Sequence, residues 1–275
     1  MKEMTSKELK SCALGILLFI DNICKENDIT YYLCGGTLLG AFRHKGFIPW
    51  DDDIDIMLPR ADYDLFLRIF PFNERYRIMR PLEDKGYPYP YAKVADTRTQ
   101  KKEYGLRSKY HLYGVDVDVF PIDSLPNSEE ECLDYFKEIE KLDINLNCLK
   151  LKYTKGKTFF STMKKFLGIT ISRVSEMLGL ISIKKLLMQF DVLTRKYNSM
   201  KSDYCGITSI SHYGIKERNK KKDYAPTISV EFEGHIFPSP SNYNVYLSQL
   251  YGKTYMQMPP TSLRVNHGIK AYWRD

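Results

Sequence analysis

Two short segments, "DDDIDIMLP" at residues 51–59 and "VDVDVF" at 115–120, alternate carboxylates with aliphatic side chains, and no other feature constrains the fold as much. A period of two is the period of a β-strand, whose successive side chains point to opposite faces. Each segment must therefore bury one face and carry acid on the other. Asp53 and Asp55 share a face opposite Ile54 and Ile56; Asp116 and Asp118 share one opposite Val115, Val117 and Val119. If the strands are neighbours, three or four carboxylates converge. Aspartate disfavours strands and like charges repel, a local cost of the kind that marks a site. Asp116 by itself reads as a solvent-facing residue of a half-exposed sheet.

A hydrophobic content of 43% over 275 residues is enough for a large core. The six cysteines show neither C-x-x-C pairs nor Cys-His ligand spacing, so reduced thiols in a cytoplasmic setting are expected, with no disulfide framework and no structural zinc. The apolar run 13–20 is too short to span a membrane and has no leader-type cleavage site, so neither a signal peptide nor a transmembrane helix is expected. The net charge of +7 is uneven. Residues 150–200 hold eleven Lys and Arg against Glu176 and Asp191, an excess of nine that leaves the rest of the chain at −2. Without zinc-finger spacing or an RNA-binding aromatic motif, no nucleic-acid partner is predicted.

Apolar spacing predicts a helix over 5–26, a strand in "ITYYL", a Gly-Gly turn, and a short helix beginning near Thr37 with its hydroxyl as cap. A strand over 51–59 and a helix over 61–70 follow, then strands in "YRIMRPL" and "YAKVADTRTQ" and in "YGVDVDVFPID", the last ended by Pro121. From Ser124 to about Ser202 the pattern is helical; a hairpin and a helix come next, and Met256 to Asp275 reads as a loop-rich tail. The fold class is α/β (α+β), a mixed sheet flanked by helices. Residues 1–125 form the core, 126–202 a helical insertion, and 203–275 complete the catalytic domain.

Gly35 and Gly36 let backbone approach a phosphate, and a helix starting just after them aims unpaired N–H groups at an anion. All-oxygen ligands select Mg²⁺ or Mn²⁺. A metal-phosphate site of this kind transfers a phosphorus group. The chain has no P-loop, H-R-D or D-F-G signature, which excludes P-loop enzymes and protein kinases.

The segments "GGTLLGAFRHKGFIPWDDDIDIMLPR", "VDVFPID", "VEFEGHIFPSPSNYNVYLSQLYG" and "MPPTSLRVNHG" resemble the LicD-type phosphotransferases of the nucleotidyltransferase superfamily, which include the fukutin-related protein. The resemblance implies a polymerase-β-like nucleotidyltransferase fold and transfer of phosphocholine from CDP-choline to a sugar hydroxyl of a cell-surface glycan precursor of teichoic-acid type, releasing CMP. It implies catalytic and metal-binding roles for Asp53, Asp55 and Asp118, with Asp118 a candidate base. Gly35, Gly36 and Thr37 match the phosphate-cradling turn. The gap between Gly36 and Asp53 is longer than in simple nucleotidyltransferases, and its loop offers Arg43, His44 and Lys45 to the diphosphate while leaving Asp51 and Asp52 open as ligands or loop caps. Lys93, Arg264 and His267 are further candidates for substrate contact, and Trp50 is expected to anchor the loop.

A choline headgroup is read by aromatic faces, which makes Tyr87, Tyr89 and Tyr91 candidates for a cage, against the plainer reading of a stiff Tyr-Pro loop. The basic amphipathic insertion either lies on the inner face of a membrane, near a lipid-linked acceptor, or packs its apolar stripe inward. The alternatives to phosphocholine transfer are transfer of another CDP-linked polyol phosphate or of a nucleotidyl group and, in a different class, a non-catalytic glycan- or nucleotide-binding module.

Overall fold

The structure, a computed structural model, describes all residues except 103–104, 108–113, 154–158 and 265–268. A short strand β1 (Lys2–Glu3) precedes α1 (Ser6–Glu26), which buries Leu9, Ala13, Ile16, Leu17, Ile20 and Cys24 along one face. Thr5 caps α1 reciprocally: its hydroxyl accepts from the Glu8 N–H, and the Glu8 carboxylate accepts from the Thr5 N–H. Then come β2 (Tyr32–Leu33), α2 (Gly35–His44), β3 (Asp55–Pro59), α3 (Arg60–Ile69), β4 (Tyr76–Met79), β5 (Ala92–Asp96), β6 (Thr99–Lys102) and β7 (Asp116–Leu125). The helices α4 (Glu129–Lys150), α5 (Phe159–Met177) and α6 (Ile183–Thr194) lead to β8 (Tyr204–Ile207) and β9 (Asn219–Lys220). A hairpin of β10 (Ile228–Phe232) and β11 (His235–Ser239), then α7 (Tyr243–Tyr251) and β12 (Lys270–Trp273), close the chain.

The central sheet is mixed, in the order β2-β3-β7-β5-β4, with β8 on β7 and β9 on β8. Its parallel pair is β3 with β7; its other neighbours are antiparallel. Ile54, Ile56, Val117 and Val119 are wholly buried, and α1, α2 and α3 pack against the sheet. The mixed sheet flanked by helices is as expected. A second core gathers Leu125, the inner faces of α4 and α6, and Tyr197.

Three expectations need correction. Pro121 does not end its strand: β7 runs on to Leu125, because at Pro121 the β5 partner has already stopped at Val119 and β8 begins only at Ile122. The missing N–H falls in the gap between two partners, where proline costs the ladder little. The helix after the glycines begins at Gly35, with Cys34 in the cap position and no side-chain cap. Asp53 lies just before β3 rather than within it. The loop-rich tail also holds an unexpected strand, β12, which pairs with both β1 and β6 in a three-stranded antiparallel sheet.

Candidate active site

The two acid-bearing segments are neighbours, in register. Asp55 lies opposite Asp118 across the parallel β3–β7 pair, and Lys93 lies opposite Asp118 across the antiparallel β5–β7 pair. Neighbouring strands are about 4.8 Å apart, so three charged side chains line up across three strands. Lys93 Nζ is 2.5 Å from Asp118 Oδ1 and 3.6 Å from Asp116 Oδ1, and Lys101 Nζ is 2.7 Å from Asp116 Oδ1. Asp116 is therefore not the solvent-facing residue expected; both lysines that hold it are buried.

Burial pushes the Asp55 carboxyl well above the usual carboxylate range, and the charges of Asp53, Asp118 and Asp51 push it further, with Lys93 opposing. Asp118 is raised too, by burial first and by Asp116, against the pull of Lys93. Among the described residues, Asp51, Asp52 and Asp53 each bring a carboxylate oxygen within 4.8 Å of the other two. This trio shares Asp53 with the set expected from strand alternation; the carboxylate of Asp118 is drawn instead toward Lys93.

The glycine turn abuts this acid. Gly35 has φ +52, a left-handed conformation that favours glycine, and a β-carbon there would lie 3.5 Å from Asp55 Oδ2. A β-carbon on Gly36 would stand 2.8 Å from Asp51 Oδ2. First-turn amides of a helix lack ladder acceptors, so the start of α2 presents N–H groups and a positive dipole end to the carboxylates. Thr37 does not face outward: its buried hydroxyl accepts from the Asp55 N–H at 2.9 Å and so ties the turn to the first residue of β3.

The remaining candidates divide. Arg43, His44 and Lys45 lie at the far end of α2, roughly 13 Å along its axis from Gly35. Arg43 donates to the Tyr255 and Gln257 carbonyls and to His44 Nε2, and burial and the Arg43 charge lower the His44 imidazole. Lys45 is an exposed helix end with φ 60. Trp50 packs half-buried against the core, as expected, and Arg264 lies over its ring at 5.0 Å. His267 falls outside the described residues. Tyr87 and Tyr91 are buried, and the Tyr87 hydroxyl donates to the Tyr91 carbonyl, the arrangement of a stiff loop. Tyr89 is half-buried, with Lys93 and Lys150 ammonium groups 4.8 and 4.6 Å from its ring centre.

Several neighbours escaped sequence reasoning. Lys101 and Lys150 add two buried cations beside Lys93, the latter from the end of α4. The Tyr246 hydroxyl accepts from the Gly35 N–H at 3.3 Å, and the Tyr213 hydroxyl donates to Tyr251 at 2.8 Å, so α7 and the segment before β9 wall the glycine turn. Nothing in residues 213–251 alternates or repeats in a way that would have revealed this.

A cavity of about 600 Å³ between α3 and α6 lies at the other end of β3. Two of its arginines are committed to carboxylates, Arg195 to Asp64 and Asp191, and Arg60 to Asp123.

Residues 28–138 match the family model described as LicD/FKTN/FKRP, nucleotidyltransferase domain. Over 275 aligned positions, 98% of each chain, the protein is 32% identical to the lipopolysaccharide cholinephosphotransferase LicD of Haemophilus influenzae. The chain belongs to the LicD family. It is thus an enzyme of the transferase class, as the sequence resemblance implied. Two uncharacterized rickettsial proteins match more locally: one of Rickettsia prowazekii is 48% identical over 69 residues, 25% of this chain and 23% of its own length. One of Rickettsia typhi is 50% identical over 46 residues, 17% and 15% of the two chains. The LicD family domain encloses the glycine turn and both acid-bearing strands.

Proposed function

We propose that this LicD-family chain transfers phosphocholine from CDP-choline to a sugar hydroxyl of a cell-surface glycan precursor, releasing CMP, in a nucleotidyltransferase-type fold with residues 126–202 as a helical insertion. The observation that carries the proposal is the register of Asp55 on Asp118, with the Gly35–Gly36 turn against their carboxylates. The acceptor class is a lipopolysaccharide-like or teichoic-acid-like sugar, the first in line with the activity named for the Haemophilus relative.

The donor set fits a hard divalent cation: it is all carboxylate, half-buried, and pushed toward protonation by burial and then by mutual repulsion, a cost that Mg²⁺ or Mn²⁺ would offset. Asp53, Asp55 and Asp118 are the residues we assign to hold it, with Asp51 and Asp52 next to them. When bound, the ion would neutralise charge on the transferring phosphate.

The chain's own residues account for the rest. The first turn of α2 offers N–H groups to donor phosphate oxygens. Lys93, Lys101 and Lys150 supply positive charge beside the acids. The acceptor oxygen forms a bond to the choline-bearing phosphorus as the anhydride bond to CMP breaks, and the hydroxyl proton passes to Asp118, whose raised proton affinity suits a base. Six free cysteines accord with a cytoplasmic setting.

The test is incubation with CDP-choline, Mg²⁺ and a short glycan acceptor, beside a variant carrying both Asp53→Asn and Asp55→Asn. An acceptor that gains the mass of phosphocholine only with the parent supports the reading. A gain of another CDP-linked group or of a nucleotide would replace it, and equal CMP release by both proteins would remove it.

A further inference from the structure

The helix α5 is folded with its amphipathic faces reversed. Among its described side chains Ile169 and Ser172 are the buried ones, with Gly168 placed against Cys148 of α4. Met163, Phe166, Leu167, Ile171, Val174 and Met177 instead expose 48–87% of their surface. At about 100° per residue these six fall within an arc of about 140°, one continuous stripe along about four turns of helix. Scattered exposed aliphatics are ordinary, but an apolar face turned outward over the length of a helix marks a contact surface. No described helix is long and apolar enough to cross a membrane, so the stripe can lie on a bilayer without spanning it.

Charge identifies the occupant. Lys164 is exposed at one edge of the stripe, and Lys184 and Lys185 are exposed where the chain turns into α6. The whole positive excess of the protein lies between residues 150 and 200. A second copy of the chain would set the same exposed lysines, Lys164, Lys184 and Lys185, against one another, whereas an anionic lipid surface complements them. Tyr153 adds a third feature: its ring, 44% exposed, sits 4.8 Å from Phe166 and 4.1 Å from the Arg173 guanidinium, the mixed aromatic and cationic edge that suits a headgroup layer.

We propose that the exposed face of α5 docks the protein onto an anionic bilayer surface, with the apolar stripe entering the acyl boundary and the lysines meeting lipid phosphates. The surface is remote in sequence from the acid cluster and stands whether or not the transferred group is phosphocholine. The test is flotation of the full chain with phosphatidylcholine vesicles containing or lacking phosphatidylglycerol, without any substrate, at low and high salt. The expected result is flotation with the anionic vesicles only, weakened by salt. A drop of roughly tenfold or more is expected for Phe166→Ser with Leu167→Ser and, separately, for Lys164→Glu with Lys184→Glu, both keeping the parent's circular dichroism and melting temperature. Failure of the parent to float on anionic vesicles overturns the proposal. So does equal binding by parent and both variants, or a concentration-dependent dimer of the parent that the serine variant abolishes.

Discussion

Asp55 and Asp118 face each other across the parallel pair of β3 and β7, while Lys93 holds the second of them from the antiparallel side at 2.5 Å. Two carboxylates in adjacent register positions, both raised in proton affinity by burial, are a poor arrangement for stability and a good one for binding a cation or accepting a proton.

That conflict sets opposite signs for activity and stability. Asp55→Asn and Asp118→Asn should each reduce turnover by about 10³ or more, and Asp55→Asn, which breaks no ion pair to a buried lysine, should raise the melting temperature of the metal-free protein by roughly 2 to 5 °C. Because the folded-state carboxyls bind protons more tightly than the unfolded ones, the stabilisation should be absent in acid and emerge as pH rises past the ordinary aspartate range. Parallel steady-state assays and melting curves check both halves.

Lys93→Met removes the opposite charge that restrains Asp118, so its carboxyl should rise further. The acidic limb of the pH–rate profile should move to higher pH by about one unit, and Lys93→Arg should restore most of it.

The two glycines should fail differently. Gly35→Ala forces a β-carbon into φ +52 but meets only ordinary contacts, so it should cost about 1 kcal/mol of stability. At Gly36 the new methyl would press on Asp51 Oδ2 at 2.8 Å, the end of a side chain that can swing away. Gly36→Ala should therefore leave the melting temperature near the parent's and lower activity. Denaturation curves and rates on the same preparations separate the two.

Glu217 is wholly buried between β8 and the tyrosines of α7, and burial pushes its carboxyl from 4.5 up to about 8, with the Ile207 N–H opposing at 3.3 Å from Oε2. Its ionisation penalises the fold from the unfolded value upward, in full above the folded one. Relative to Glu217→Gln, the parent should lose on the order of a few kcal/mol as pH climbs through that interval, read as the difference between two stability–pH curves.

Much of this arrangement was legible in the chain because it rests on short-range rules. Alternation in "DIDIM" and "VDVDV" placed Asp55 and Asp118 on acid faces, and the length and apolar spacing of α1 left little choice about its packing. The errors came where tertiary pairing overrode local signals. Pro121 reads as a strand end until the staggered partners of β7 are known, and β12 has no pattern of its own before β1 and β6 border it. The helix boundary at Gly35 was missed because the Thr37 hydroxyl, a plausible cap, is engaged by the Asp55 N–H. Lys101 and Lys150 were invisible for a related reason: nothing near them in sequence carries the acid or the ring that they meet. The outward stripe of α5 has the same periodicity as an inward one, so only the fold distinguishes them.

Calorimetric titration of Mn²⁺ into the parent and into Asp55→Asn, without nucleotide or acceptor, addresses the acid cluster most directly. One site per chain should appear in the parent and weaken by about tenfold or more in the variant, with heat that fades as pH falls and the carboxyls take up protons. Equal affinity in the two proteins, or no binding by the parent at neutral pH, would contradict it.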